Sequence, residues 1–235
     1  MRLRAALSEA VATVRSAGSP VARFVHPLPL PPIGDRPPVV LVHGYLGHPD
    51  AFRPLTRRLY AAGWSRVVAM SYPSTQLHLD EIVHRLGELV RPLAALHGPV
   101  HLVGHSLGAV ACRAWVKRFG GAPFVRSFVS LGGPHAGTAL WRLAPPVLWD
   151  VLRPDGPWVR RLADGPELVP TVVVRSSYDQ QVLPPVRAKL PGIEEHLLEG
   201  TGHNGLLWSR TAHEAVVRAL EATSPAPQFG GYSPG

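Results

Sequence analysis

Only one cysteine, Cys112, stands in this chain of 235 residues, so no disulfide can form within it. A chain of that length is expected to form one domain and to bury a core without covalent staples. No apolar run approaches the roughly 18 residues that a membrane-crossing helix needs. The first twenty residues also lack the unbroken apolar stretch of a secretory signal, because Ser8, Glu9 and Arg15 interrupt it; a cytoplasmic protein is the expectation. No H-E-x-x-H, no Cys/His ligand spacing and no glycine-rich phosphate loop occurs, so neither a metal nor another cofactor is expected. Charged residues are only 17% of the chain, yet the balance is +8 and is carried almost wholly by arginine. Those arginines (Arg53, Arg57, Arg85, Arg113 and Arg126 among them) are dispersed, with no run of five basic residues and no nucleic-acid motif. Nucleic acid is therefore not an expected partner.

What is present is a regular alternation. Leu3, Leu7, Val11 and Val14 recur at helical spacing, which predicts an amphipathic helix over 3–17 packed on the outside of the domain. Arg2, Arg4 and Arg15 would also suit that helix to weak contact with a membrane surface. A proline-rich link over 27–38 follows, in which missing N–H groups bar helix and central strand. Residues 1–37 are thus read as a helix and linker ahead of a domain over 38–222. Within it, strands are predicted at 38–42, 66–70, 100–103, 125–131, 171–175 and 194–198. Helices are predicted at 48–63, 79–96, directly after Ser106, and at 206–222. Unbroken Val/Leu strands separated by helices imply an α/β fold, with a mainly parallel six-stranded sheet covered on both faces. A ligand site then belongs beyond the carboxyl ends of the strands. The Pro- and Gly-rich tail, 223–235, is expected to be disordered.

The third strand breaks into Gly104-His105-Ser106-Leu107-Gly108 and runs straight into a helical pattern. A serine in such a strand-to-helix turn projects its hydroxyl clear of its own backbone, and the two glycines clear the space around it. Serine is a poor nucleophile until a base takes its proton and a third group orients that base. Of the later histidines, His203 lies in the loop Gly200–Gly205 between the last strand and last helix, whereas His196 falls within the strand and His213 within the helix. Asp179 stands just past the fifth strand, where a carboxylate could reach the imidazole. The candidate catalytic set is Ser106, His203 and Asp179. The backbone N–H groups of Leu107 and of Tyr45, in His43-Gly44-Tyr45-Leu46-Gly47, are the expected oxyanion donors.

These stretches, V-L-V-H-G-Y-L-G, L-V-G-H-S-L-G-A, S-L-G-G-P-H-A-G-T, S-S-Y-D-Q-Q-V-L-P and G-T-G-H-N-G-L-L, resemble in order and spacing an α/β-hydrolase of the bacterial triacylglycerol lipase type. The resemblance covers roughly residues 38–222. It implies the α/β-hydrolase fold, a Ser-Asp-His triad, no cofactor and hydrolysis of carboxylic esters. The chain enters at the family's first parallel strand, which implies a minimal six-stranded core.

The insert between the fourth and fifth strands, 135–170, is dense in Trp, Leu and Val. It reads either as a small cap over an acyl pocket, lined by Trp141, Leu148 and Trp149, or as an ordinary crossover packed on the sheet. The expectation is a monomeric serine ester hydrolase acting through an acyl-enzyme on small-molecule or lipid esters of medium chain length. Acyltransferase, thioesterase or amidase chemistry would use the same triad, and a non-catalytic binding protein is the rival from another class.

Overall fold

The computed structural model describes residue 9, residues 11–13 and residues 28–224. Six strands form one sheet: β1 (Val39–Val42), β2 (Val67–Met70), β3 (Val100–His105), β4 (Val125–Leu131), β5 (Thr171–Ser176) and β6 (Glu194–Leu198). Their order is β2-β1-β3-β4-β5-β6, and every pairing is parallel. The helices are α1 (Arg53–Ala61), α2 (Leu79–His97), α3 (Leu107–Arg118), α4 (Trp149–Leu152), α5 (Pro157–Ala163) and α6 (Arg210–Thr223). This is the parallel, six-stranded α/β sheet predicted from the alternation.

Side chains of a strand point alternately to opposite faces, so a strand covered on both sides must be apolar throughout. In β1, Val40 and Val42 join a cluster with Ile82, Val83 and Leu86 of α2 and with Val110, Cys112 and Trp115 of α3. Val39 and Leu41 join the opposite cluster, with Leu55 and Leu59 of α1 and Val216 and Leu220 of α6. Each such aliphatic side chain, fully buried, contributes about 1.5–3 kcal/mol. The two edge strands are less covered, and β6 carries charge instead: Glu195 accepts from Arg175 at 2.9 Å and pairs with Lys189 at 3.1 Å.

The middle of the insert takes the crossover reading. Leu148, Val151, Trp158 and Leu162 belong to the core cluster shared with α3, so this part is crossover. Arg113 and Lys117 reach from α3 to bond the Leu162 carbonyl, at 2.8 and 2.9 Å, and both pair with Glu167. Around Trp141–Leu143 the chain turns outward, and Leu143 is 83% exposed.

Three details differ from the sequence reading. The helix predicted over 48–63 opens as a 3-10 turn, Pro49–Phe52, before α1. The helix predicted from residue 206 starts only at Arg210, where the Ser209 hydroxyl accepts from the Ala212 N–H at 3.3 Å. Residues 9 and 11–13 are helical, but Val11, assigned to the buried apolar face, is 49% exposed while Glu9 and Ala12 are buried. Leu3, Leu7 and Val14 lie outside the described residues, as do residues 14–27 and the tail from residue 225.

Candidate active site

Ser106 sits between β3 and α3 with φ +54° and ψ −122°, a backbone conformation that costs a non-glycine residue about 1–3 kcal/mol. Its surroundings leave no alternative to glycine. A Cβ on Gly104 would lie 2.5 Å from the Ala109 Cα, and one on Gly108 would collide with the carbonyls of Val42 and His43. A Cβ on Gly44 would fall 2.8 Å from the Ser106 Cβ. Strand β1 therefore ends directly against the serine, and the half-buried side chain stands at the N-terminus of α3, the positive end of its dipole.

The ring of His203 is buried, and its Nδ1 donates to Asp179 Oδ2 at 2.7 Å. That bond fixes the tautomer, leaving Nε2 as the bare acceptor, and Nε2 is buried with no partner among the described residues. Burial alone would raise the Asp179 pKa. The His203 ring and the N–H groups of Val182 and Gln181, at 2.7 and 2.8 Å from Oδ1, outweigh it and hold the carboxyl below its ordinary value. The aspartate is thus a carboxylate aimed by its own turn.

Strand ends deliver these groups to one place. Gly132, directly after β4, takes φ +58°, and a Cβ there would lie 3.0 Å from Leu206 Cδ1 and in van der Waals contact, at 3.4 Å, with the His203 Cε1 and Nδ1. Ser176, closing β5, donates from its hydroxyl to the Thr201 carbonyl, tying the aspartate loop to the histidine loop. His105, immediately before the serine, donates from Nε2 to the His203 carbonyl at 3.2 Å, and the two rings lie 4.9 Å apart. Burial, reinforced by the nearby His203, pushes the His105 pKa down to about 3, so that ring stays neutral.

The loop after β1 is braced from below. Tyr72 donates its hydroxyl to the His43 carbonyl and stacks on the His43 ring at 4.1 Å, and Gly47 N–H closes a turn on the Gly44 carbonyl at 3.0 Å. Leu46 takes φ +56° within that turn. Among the described residues, no hydrogen bond engages the backbone N–H of Tyr45 or of Leu107. Two free donors beside a strained serine can hold a developing oxyanion.

A family model described as palmitoyl protein thioesterase matches residues 38–184, more than half of the chain. The chain belongs to this family. The matched span includes Ser106 and Asp179 and ends before His203. No curated protein sequence matches it. Solved structures of similar fold include a Bacillus licheniformis lipase, BlEst2, in mature form (16% identity, TM-score 0.65, 80% of this chain and 94% of that one). Aspergillus fumigatus lipase B is similar at 19% identity and a TM-score of 0.71, over 90% of this chain and 59% of that one. A Paleococcus ferrophilus monoacylglycerol lipase is similar at 17% identity and a TM-score of 0.60, over 80% and 96%. The palmitoyl protein thioesterase family chain thus has the fold of α/β-hydrolase lipases and esterases.

Of the insert residues assigned to substrate in this thioesterase-family chain, Trp141 and Trp149 pack edge to face at 5.3 Å. Arg142 lies 4.4 Å over the Trp141 ring, and the Trp149 indole donates to the Ala144 carbonyl at 2.9 Å. Leu148, only 4% exposed, lies instead in the core cluster. The beginning of the insert is knitted to the aspartate loop: Thr138 Oγ1 donates to the Gln181 carbonyl at 2.7 Å, and Ala139 N–H to the Leu183 carbonyl at 2.7 Å. Sequence reasoning missed Gln180, whose Oε1 accepts from the His203 N–H at 3.3 Å, and also His105 and Glu9. Gln180 was findable as the neighbour of Asp179, whereas Glu9 lies far away in the chain. No helix among the described residues is long and apolar enough to cross a membrane.

Proposed function

We propose that the protein is a serine hydrolase that cleaves medium-chain carboxylic esters of small molecules or lipids through an acyl-enzyme on Ser106. The observation that carries this reading is the buried His203, held at Nδ1 by Asp179 and bare at Nε2, beside the turn that strains Ser106. As the Ser106 oxygen bonds the acyl carbon, its proton passes to His203 Nε2, and Asp179 stabilises the imidazolium that forms. The carbonyl electrons move onto oxygen, where the N–H groups of Tyr45 and Leu107 receive them. Collapse breaks the bond to the leaving group, which takes the proton from Nε2. Water then repeats the sequence: Nε2 removes its proton, the acyl–Ser106 bond breaks, and the serine regains its hydrogen. Trp141 and Trp149 supply an apolar wall for the acyl chain in this reading.

Membership in a thioesterase family favours a second reading, in which the bond cleaved is an acyl thioester. The acyl-enzyme is the same and only the leaving atom differs. The test is a matched series, C2 to C16 acyl groups, each offered as a p-nitrophenyl ester and as an N-acetylcysteamine thioester. An optimum at intermediate chain length on the esters supports the first reading, and a uniform preference for thioesters supports the second. A steep optimum at C2 contradicts the assignment of the tryptophans.

A further inference from the structure

The backbone around His203 is gripped by side chains from three separate parts of the chain. Gln180 accepts from its N–H and His105 donates to its carbonyl. The third grip comes from the N-terminal helical residues. Glu9 Oε1 accepts from the Asn204 N–H at 2.7 Å, and Oε2 accepts from the Gly205 N–H at 3.0 Å. Thr13 Oγ1 accepts from the Asn204 side chain at 2.9 Å. Asn204 and Gly205 begin the 3-10 turn Asn204–Leu207, which starts directly after His203. The first N–H groups of such a turn have no partner within it, and a carboxylate satisfies two of them at once. The glycine in front of the histidine fits the same arrangement, since a Cβ on Gly202 would lie 2.6 Å from the Glu9 carboxyl carbon. Glu9 is 8% exposed, and a carboxylate is rarely buried unless something pairs with it.

We propose that Glu9 is a positioning residue: its carboxylate, brought in from the N-terminal helix, sets the backbone that aims the His203 imidazole. The inference rests on His203 being the base, and acts through that residue without touching substrate. A packing role alone would lower stability when Glu9 is changed. A positioning role also moves the ring relative to Asp179 and slows chemistry without weakening substrate binding.

The test uses the full-length chain carrying Glu9→Gln, which keeps the shape but turns an NH2 group toward one of the two N–H donors. The expected result is a fall in kcat on p-nitrophenyl butyrate of about tenfold or more, with KM unchanged. The proton resonance of His203 Nδ1–H, recorded without substrate, is expected to move with it. Val11→Ala, on the exposed side of the same helical stretch, is expected to change neither. A folded Glu9→Gln protein in which either kcat or the resonance stays in place overturns the proposal. If Glu9→Gln does not fold, Thr13→Val takes its place and is expected to show the same two changes in smaller measure; their absence there also overturns it. A wild-type protein inert toward every ester and every thioester of the series would defeat the assignment of His203 as base, and the resonance alone would then decide whether Glu9 sets the ring.

Discussion

Two buried histidines at opposite ends of the same sheet each sit in a hydrogen-bonded pair, and only one of the pairs has the makings of a catalyst. His101, near the start of β3, has Nδ1 on the Ser127 hydroxyl at 2.7 Å and Nε2 on the Ser224 hydroxyl at 3.0 Å. Both nitrogens are occupied by hydroxyls, and Ser127 lies within strand β4, where its register with β3 shifts by one residue. At the carboxyl end, His203 has its carboxylate on one nitrogen and, among the described residues, no partner on the other, and Ser106 is held in a strained turn. A Ser-His hydrogen bond is thus no sign of catalysis by itself. What distinguishes the carboxyl end is an oriented imidazole with an empty acceptor and a serine lifted out of its strand.

The sharpest way to break the comparison is to remove one ring at each end. His203→Gln and Asp179→Asn are each expected to lower kcat roughly ten-thousandfold on p-nitrophenyl esters, while His101→Gln leaves it unchanged. A smaller effect belongs to Gly44→Ala, whose new methyl would press on the Ser106 Cβ from 2.8 Å. Displacing the serine from its donors should cost on the order of a hundredfold in kcat/KM. At the other end, Ser127→Ala leaves a buried ring nitrogen without its partner. Chemical denaturation should show a loss of about 1–3 kcal/mol with activity intact.

A further expected effect is a change of slope with pH. Burial lowers the pKa of His101 and His105 to about 3 and that of His43 to about 4, from an ordinary 6.5. The unfolded chain therefore binds more protons than the folded one between those values. Stability from these neutral rings is complete above pH 6.5 and is lost as pH falls toward the folded values, by up to about 1.4 kcal/mol per pH unit for each ring. His101→Gln should flatten the stability profile in that window by one ring's share, and urea denaturation at a series of pH values would read it.

The sheet and the nucleophile turn were legible because their signals are local. The unbroken Val/Leu run fixes β1, apolar residues dominate β3 and β4, and the glycines flanking Ser106 are required by contacts within a few residues or with the adjacent strand. Asp179 and His203 were legible from their places after β5 and β6, since a parallel sheet brings those loops to one edge. The insert was only half legible, because Trp and Leu at helical spacing serve a core and a pocket equally well; Leu148 fell to the core. In the N-terminal helix, Val11 was placed on the buried face and is exposed, while Glu9 is buried. Hydrophobic periodicity looks for apolar contact, whereas the group that docks there is a carboxylate bonded to the turn after His203.

One measurement bears most directly on the claim that the carboxyl end is a working acyl-transfer site: reaction with a fluorophosphonate probe, with the adduct located by peptide mass. The expected result is a single adduct on Ser106, absent from Ser106→Ala, strongly slowed in His203→Gln and untouched by Ser127→Ala. No adduct on the wild-type protein, or one that survives Ser106→Ala, would contradict it.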